Sequence, residues 1–265
     1  MMLIARRRDQ SKYPQLWDGL AGAWYPGAGP SGNTLYDLSG RDNHGTLTNG
    51  PTWVDGQGGK AISFDGSDDY VTVGDVASLK ITGAITLSVW VKRGATLGTV
   101  QGVVSKGGGG GFAPYALVWN SDNGMYFLQS MAGGGWETII LSSTKITDTN
   151  WHHIAATSDL TTAKLYIDFV NVNLDTSPAS SLWETTRPVL IGAEHNGSVA
   201  NRFNSGQINE VRIYNRALHV DEIKLLAQRP GIAYEPKRRV FYSIPSSVKA
   251  WLFRRQSQII GGGLG

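Results

Sequence analysis

The sequence contains no cysteine, little charge and no long apolar run. Without cysteine the chain can form no disulfide, no zinc–thiolate site and no thiol nucleophile. No segment has the roughly 18 consecutive apolar residues that cross a bilayer. The start MMLIARRRDQ places its arginines after its apolar residues, whereas an export signal has them first. We therefore expect a protein without a membrane span or a signal peptide.

The composition is that of a globular protein with basic ends. Hydrophobic residues make up 41% of the chain and charged residues 17%, and 34 glycines point to many turns. The net charge is +3, but residues 1–12 carry +3 and residues 235–265 carry +5, which leaves −5 for the body. This distribution predicts that the ends contact an acidic protein surface, nucleic acid or anionic lipid.

Apolar alternation with a period of two predicts an all-β domain from residue 61 onward. In ITLSVWVK, residues 85, 87, 89 and 91 are apolar and share one face of a strand. Similar short runs follow, separated by Gly, Asp, Asn and Ser, which is typical of a sandwich or barrel. The best helix signal is HVDEIKLLAQ, residues 219–228, which ends before Arg229-Pro230-Gly231.

The stretch NWHHIAATSDLTTAKLYIDFVNVN, residues 150–173, places two histidines side by side. In a strand, neighbouring side chains point to opposite faces, so His152 and His153 cannot bind one metal ion. We therefore interpret the stretch as a hairpin whose histidines pack or form hydrogen bonds.

Five segments together resemble the laminin-G-like, concanavalin A-like domains. They are YDLSGRDNHGTLTNGPTW (36–53), AISFDGSDDYVTV (61–73), ITLSVWVK, the hairpin above and VLIGAEHNGSVANRFNSGQINEVRIYNRALHVDEIKLL (189–226). The resemblance implies a jelly-roll sandwich of two antiparallel sheets over residues 17–230, with one short C-terminal helix. Residues 1–16 would then be an N-terminal arm, and residues 231–265 a basic aromatic arm similar to the tails of such proteins in tailed bacteriophages.

The same resemblance implies one structural Ca²⁺, held by Asp37 and Glu210, and no other cofactor. Many relatives have a second carboxylate where this chain has Asn209, so one ligand is missing. Carboxylate and carbonyl oxygens are the ligands that Ca²⁺ prefers. The alternative is that Asp37 organises its own turn.

No pattern of catalytic residues is present in the sequence. Glycoside hydrolases of this fold place two carboxylates on one strand, about 5–5.5 Å apart in retaining enzymes, but Glu137, Glu184, Glu194 and Glu210 each stand alone. Asp65, Asp68 and Asp69 cluster in a turn, where Asp is favoured for local backbone hydrogen bonds. We therefore expect no enzyme activity and no catalytic residues.

Two kinds of binding remain open. A sugar would stack on an exposed aromatic ring, and Tyr115, Trp119 and Trp136 lie near glycine-rich loops. The arm PKRRVFYSIPSSVKAWLFRR interleaves cations and aromatics, which favours docking to a protein over binding to nucleic acid. The docking residues of this arm are Lys237, Arg238, Arg239, Phe241, Tyr242, Trp251, Phe253, Arg254 and Arg255.

The leading functional hypothesis is a non-enzymatic virion structural protein of a tailed phage. It would decorate the capsid or associate with the head, be made in the host cytoplasm and assemble into the virion, and the arms would bind capsid or other virion proteins. A homo-oligomer is compatible with this role. The alternative is a carbohydrate-binding, lectin-like adhesion module, and the third hypothesis is a glycoside hydrolase of the same fold.

Overall fold

The structure, a computed structural model, describes residues 12–94, 98–108, 113–131, 136–178, 180–196 and 199–234, with no side-chain description for residues 136–139 and 196. Its strands, in chain order, are β1 (Leu20–Trp24), β2 (Thr34–Leu35), β3 (Gly45–Thr48), β4 (Thr52–Gly56), β5 (Gly59–Asp65), β6 (Tyr70–Val73), β7 (Ile85–Arg93), β8 (Gln101–Lys106), β9 (Tyr115–Trp119), β10 (Met125–Ser130), β11 (Trp136–Leu141), β12 (Trp151–Ser158), β13 (Ala163–Ile167), β14 (Val170–Asp175), β15 (Val189–Ile191), β16 (Glu194–Asn196), β17 (Val199–Asn201) and β18 (Ser205–Tyr214). Short 3₁₀ turns cover Pro14–Leu16, Pro26–Ala28, Ala77–Leu79 and Ile232–Tyr234.

Two large antiparallel sheets form the sandwich. The first has the order β14-β13-β12-β7-β18-β5-β4, with β1 also paired to β18. The second has the order β11-β10-β9-β8-β15-β6-β3-β2, and β16 and β17 form a small separate hairpin. This arrangement confirms the predicted all-β jelly-roll sandwich.

The main core lies between the two sheets, where the apolar face of each strand points inward. Leu87 and Val89 of β7, Leu117 of β9 and Phe127 of β10 are fully buried there. These residues alternate with polar or outward-facing neighbours, which is the period-two pattern that predicted the strands. Burial of a side chain of this size contributes about 1.5–3 kcal/mol to folding.

The helix α1 (Val220–Leu226) covers the outer face of the first sheet. It begins at His219, whose side chain accepts from the backbone of Asp221 while the Glu222 side chain accepts from the His219 N–H, so both ends of a capping box are present. Ile223 and Leu226 are buried, as the predicted apolar face requires. Among the described residues, no helix has the length and apolar character that crossing a bilayer requires.

The segments at both limits of the described chain also pack on this outer face. Leu16, Ile232 and Ala233 are buried in the same apolar cluster as α1. The rings of Trp17 and Tyr234 meet edge to face with their centroids 5.7 Å apart. Packed residues therefore extend past the predicted domain range of 17–230, since residues 231–234 lie against the sheet.

Candidate functional site

The two adjacent histidines lie on opposite faces of β12, as the strand pattern predicts. The ring of His152 is 2.7 Å from the Asp168 carboxylate and 3.1 Å from the Asp148 carboxylate. The hydrogen bond to Asp168 raises the pKa of His152 to about 8. His153 is fully buried, its Nε2 lies 2.9 Å from Ser88 Oγ, and burial lowers its pKa to about 3. Their arrangement fits hydrogen bonding and packing, and it does not form a shared metal site.

The prediction that Tyr115 and Trp119 offer rings to a sugar is wrong. Both side chains belong to the core between the sheets, with exposures of 0% and 1%. The Tyr115 hydroxyl donates to the Leu79 carbonyl at 2.9 Å. The backbone of Trp136 lies in β11, but its side chain is outside the described part of the chain.

The Asp37 carboxylate organises the loop that contains it. Its Oδ1 accepts from the backbone N–H of Ala23 at 2.9 Å and of Ser39 at 2.8 Å. Its Oδ2 accepts from the Ser39 hydroxyl at 2.7 Å and from the Asn43 N–H at 3.0 Å. Four donors from the chain therefore occupy both oxygens, which is the alternative that the sequence left open for this residue.

The Glu210 carboxylate is buried in an ion pair. Its Oε1 lies 2.7 Å from Arg212 Nε, and its Oε2 accepts from the Gly231 N–H at 2.9 Å. An arginine on one oxygen and a backbone donor on the other do not fit calcium ligation, and neither do the four donors on Asp37. We therefore derive no role for a metal ion from this pair, and the Ca²⁺ remains a prediction.

The Asp65, Asp68 and Asp69 carboxylates come within 4.8 Å of one another at the turn between β5 and β6. The oxygens form the local backbone bonds that the sequence predicts, since Asp65 Oδ1 accepts from the Ser67 N–H at 2.8 Å and Asp69 Oδ2 from the Asp65 N–H at 3.1 Å. This geometry is that of a structured turn.

The strands of the second sheet contain one acidic residue, Glu137 of β11. A glycoside hydrolase needs two carboxylates that flank the scissile bond. In the first sheet, Glu210 is held by Arg212 under the terminal segments. The strands of the second sheet, as described, therefore offer no pair of carboxylates for glycoside hydrolysis.

A solvent-open cleft lies at one end of the sandwich, between the loop of residues 36–44 and the segment of residues 77–84. Its volume is about 310 Å³. Its polar lining residues are Arg41, Ser78, Lys80, Thr82 and Asn215, and small residues form most of the rest. Hydroxyl, amide and guanidinium groups at one surface can form hydrogen bonds with a polyhydroxylated ligand.

Three hydrogen bonds of Asn43 hold the loop of residues 36–44 against its neighbours. The Asn43 side chain donates to the Ala21 carbonyl at 3.0 Å and to the Ser78 hydroxyl at 2.9 Å. The Trp24 indole donates to the Asn43 carbonyl at 2.8 Å. Because Ser78 lines the cleft, these contacts fix the loop and the cleft wall relative to each other.

The same loop presents an aromatic ring to solvent. Tyr36 is 51% exposed, and its ring meets the His44 ring edge to face with centroids 4.9 Å apart. His44 Nδ1 lies 3.2 Å from the Asp37 N–H, which fixes the imidazole. Sequence reasoning missed Tyr36 and the cleft because exposure depends on packing, although the run of Asp, Ser, Gly and Asn did indicate a structured loop.

The predicted docking residues of the C-terminal arm, Lys237 to Arg255, lie outside the described residues.

Similar solved structures are binding domains and enzyme domains. The chain resembles the binding domain of Paraclostridial Mosquitocidal Protein 1, with a TM-score of 0.65, 21% identity, 80% of this chain covered and 52% of that one. Domain 4 of an extracellular arabinanase from Geobacillus stearothermophilus, solved with arabinotriose, gives a TM-score of 0.62 and 20% identity, covering 79% of this chain and 98% of that one. The receptor-binding domain of botulinum neurotoxin D gives 0.62 and 13%, covering 80% and 53%.

The chain spans about half the length of the two toxin domains, and at these identities the likeness establishes the fold alone. Comparison with curated proteins finds no significant match. A laminin G-like sequence model of the concanavalin A-like lectin/glucanases superfamily matches residues 65–224. With that match over more than half of its length and the two-sheet sandwich it predicts, the chain belongs to the concanavalin A-like lectin/glucanase superfamily.

Proposed function

We propose that the protein is a non-enzymatic, carbohydrate-binding module whose ligand surface comprises the Tyr36 ring and the cleft that Arg41 of the same loop lines. The observation that carries the proposal is that the loop of residues 36–44 presents an exposed aromatic ring, Tyr36, and also places Arg41 in the lining of a polar cleft. A sugar stacks its C–H face on a ring and directs its hydroxyls to polar groups. The arabinanase domain solved with arabinotriose supports sugar binding by a sandwich of this shape.

The small number of carboxylates in the second sheet supports the non-enzymatic part of the proposal. Hydrolysis of a glycosidic bond needs an acid and a second carboxylate, and the strands of the second sheet have only Glu137. Bound sugar would therefore be released unchanged. Incubating the full chain with each glycan that it binds, followed by chromatography of the products, tests this directly, because any cleavage would contradict it.

A glycan array with the full-length protein tests the binding proposal, followed by calorimetry on the glycans retained. Tyr36→Ala should weaken binding about two- to tenfold, since an aromatic contact contributes about 0.5–1.5 kcal/mol. Phe169→Ala is the matched control, because Phe169 is similarly exposed at 49% but lies at the opposite end of the strands. Equal affinities for the wild type and Tyr36→Ala, or no retained glycan, would contradict the proposal.

We also propose the finer role of a tailed-phage virion protein, in which the terminal arms anchor the domain to the capsid or head. The contact between Trp17 and Tyr234 supports it, because the chain enters and leaves the sandwich at one place on the first sheet. Full-length protein with Arg254→Glu and Arg255→Glu should lose binding to assembled capsids and keep glycan binding. Unchanged capsid binding, or none by the wild type, would contradict the anchor.

A further inference from the structure

Arg41 presents its guanidinium to the cleft without an anionic partner. Its Nε donates to the Leu20 carbonyl at 3.0 Å, which fixes the direction of the side chain. Its two terminal nitrogens have no hydrogen bond or ion pair with any residue that the structure describes. Arg216, by contrast, binds both oxygens of Glu222 at 2.8 and 2.6 Å.

The charge of the cleft favours an anion. No lining residue is Asp or Glu, whereas Arg41 and Lys80 are cations. The Lys80 ammonium lies 3.1 Å from Asp75 and 3.5 Å from Glu184, and the bond to Asp75 raises the pKa of Lys80. Lys80 is therefore already neutralised by its neighbours, and the unpaired positive charge of the cleft belongs to Arg41.

The backbone holds Arg41 in place before any ligand binds. Gly40 and Asp42, on either side of it, have φ of 90° and 58°, which is the left-handed conformation found in tight turns. The Arg41 N–H donates to the Ser39 hydroxyl at 3.3 Å, and that hydroxyl is itself bound to Asp37. A side chain fixed in this way loses little conformational entropy on binding, so its contacts contribute more to affinity.

We propose that the cleft selects an acidic saccharide and that the two terminal nitrogens of the Arg41 guanidinium bind the carboxylate of that saccharide. The two terminal nitrogens of an arginine match a carboxylate in a bidentate geometry that a lysine cannot reproduce. The Ser78 and Thr82 hydroxyls and the Asn215 amide border the same cleft and can bind hydroxyls of the sugar ring. This inference rests on the proposed function, since it specifies which class of saccharide the proposed module binds.

The test uses the full-length protein and an array of matched glycans. Uronic and sialic acid oligosaccharides are compared with their methyl esters, and sulfated glycans form a third set, which separates a carboxylate from another oxyanion. We expect carboxylated glycans to bind at least about tenfold more tightly than their esters, because a hydrogen bond to a charged group contributes about 1.5–3 kcal/mol. Binding should weaken as salt rises, since exposed charges are screened.

Three variants locate the preference on Arg41. Arg41→Gln should abolish the preference for the acid over the ester, and Arg41→Lys should reduce it. Asn215→Asp leaves Arg41 in place but adds a carboxylate to the cleft wall, so it should disfavour acidic glycans alone. Lys224→Gln, a change at an exposed cation on α1, is the control and should have no effect.

The outcomes separate this inference from the proposed function. Acids and esters that bind equally well, with affinity lost in Tyr36→Ala, would refute the acidic preference and keep the carbohydrate-binding role. A preference for sulfated over carboxylated glycans, or an acid preference unchanged in Arg41→Gln, would also refute it. Failure to bind any glycan on the array would refute both.

Discussion

The Phe169→Gly variant should be more stable than the Phe169→Ala variant. At most positions the alanine variant is the more stable of the two. Asp168 and Phe169 form the two-residue loop between β13 and β14, since Ile167 pairs with Val170. Both have positive φ, 48° and 61°, which is the type I′ turn that favours Asn-Gly or Asp-Gly. Asp168 suits its position, whereas Phe169 occupies the place where glycine avoids a steric clash.

The magnitude follows from two opposing terms. A residue with a Cβ pays about 1–2 kcal/mol in the left-handed region, and glycine loses about 0.5–1 kcal/mol more backbone entropy on folding than alanine. Both Phe169→Gly and Phe169→Ala remove the ring, so its partial burial cancels when the two are compared. We expect Phe169→Gly to be more stable than Phe169→Ala by about 0.5–1 kcal/mol, or about 1–4 °C in Tm for a chain of this length.

Urea denaturation and calorimetry of the full-length variants measure this difference. The matched control is the pair Val170→Gly and Val170→Ala, because Val170 is an exposed strand residue next in sequence with no positive φ. There glycine should be the less stable of the two. If Phe169→Gly proved no more stable than Phe169→Ala, the positive φ at position 169 would not impose the expected cost on a residue with a Cβ.

The other predictions concern buried groups. Asp168 and Asp148 raise the pKa of His152 to about 8, so its stabilisation is full below its ordinary value of 6.5 and is lost as the pH rises through about 8. Burial lowers the pKa of His153 to about 3, so its stabilisation is full above 6.5 and falls as the pH drops toward 3. Urea denaturation from about pH 5 to pH 9 should therefore show greatest stability near 6.5, and His152→Gln should remove the alkaline loss of about 2 kcal/mol; a wild-type profile without that loss would contradict the argument. Arg212→Met leaves Glu210 buried without its cation and should cost about 3–5 kcal/mol of unfolding free energy, whereas a loss under about 1 kcal/mol would show that the pair is hydrated. Gly102→Ala should cost about 1–3 kcal/mol by overpacking, because its Cβ would lie 2.1 Å from the Ala193 carbonyl carbon, whereas Gly83→Ala, with nothing within 4 Å, should be nearly neutral.

The fold was predictable because its strands obey local rules. The alternation in β7 and the opposite faces of His152 and His153 follow from the period of a strand, which needs no tertiary information. The helix at Val220–Leu226 lies within the predicted range of 219–228, because its acidic first turn and the following Pro-Gly are local signals as well.

The rings of Tyr115 and Trp119 were wrongly expected to be exposed, because a strand that is covered on both faces shows no alternation between buried and exposed residues. Every residue of β9 is buried, since Ala116 and Val118 of its outer face pack with Leu128 in a cluster of their own. Alternation cannot then say which residues reach solvent. A neighbouring glycine-rich loop indicates a turn, and it says nothing about the exposure of the strand beside it.

Glu210 and Arg41 differ in how much of their surroundings the sequence could indicate. The partner of Glu210 was visible, because residues i and i+2 of a strand share a face and Arg212 lies two positions on. The cleft was not, because Asn215 is 174 positions from Arg41 and only the fold brings both to one wall. Moreover, Arg41 lines the cleft without a carboxylate partner, and a sequence that contains 21 acidic residues cannot indicate which cations lack one. A guanidinium without an anionic partner becomes recognisable only after the other charges have been placed, which is why the ligand preference proposed for this cleft follows from the structure.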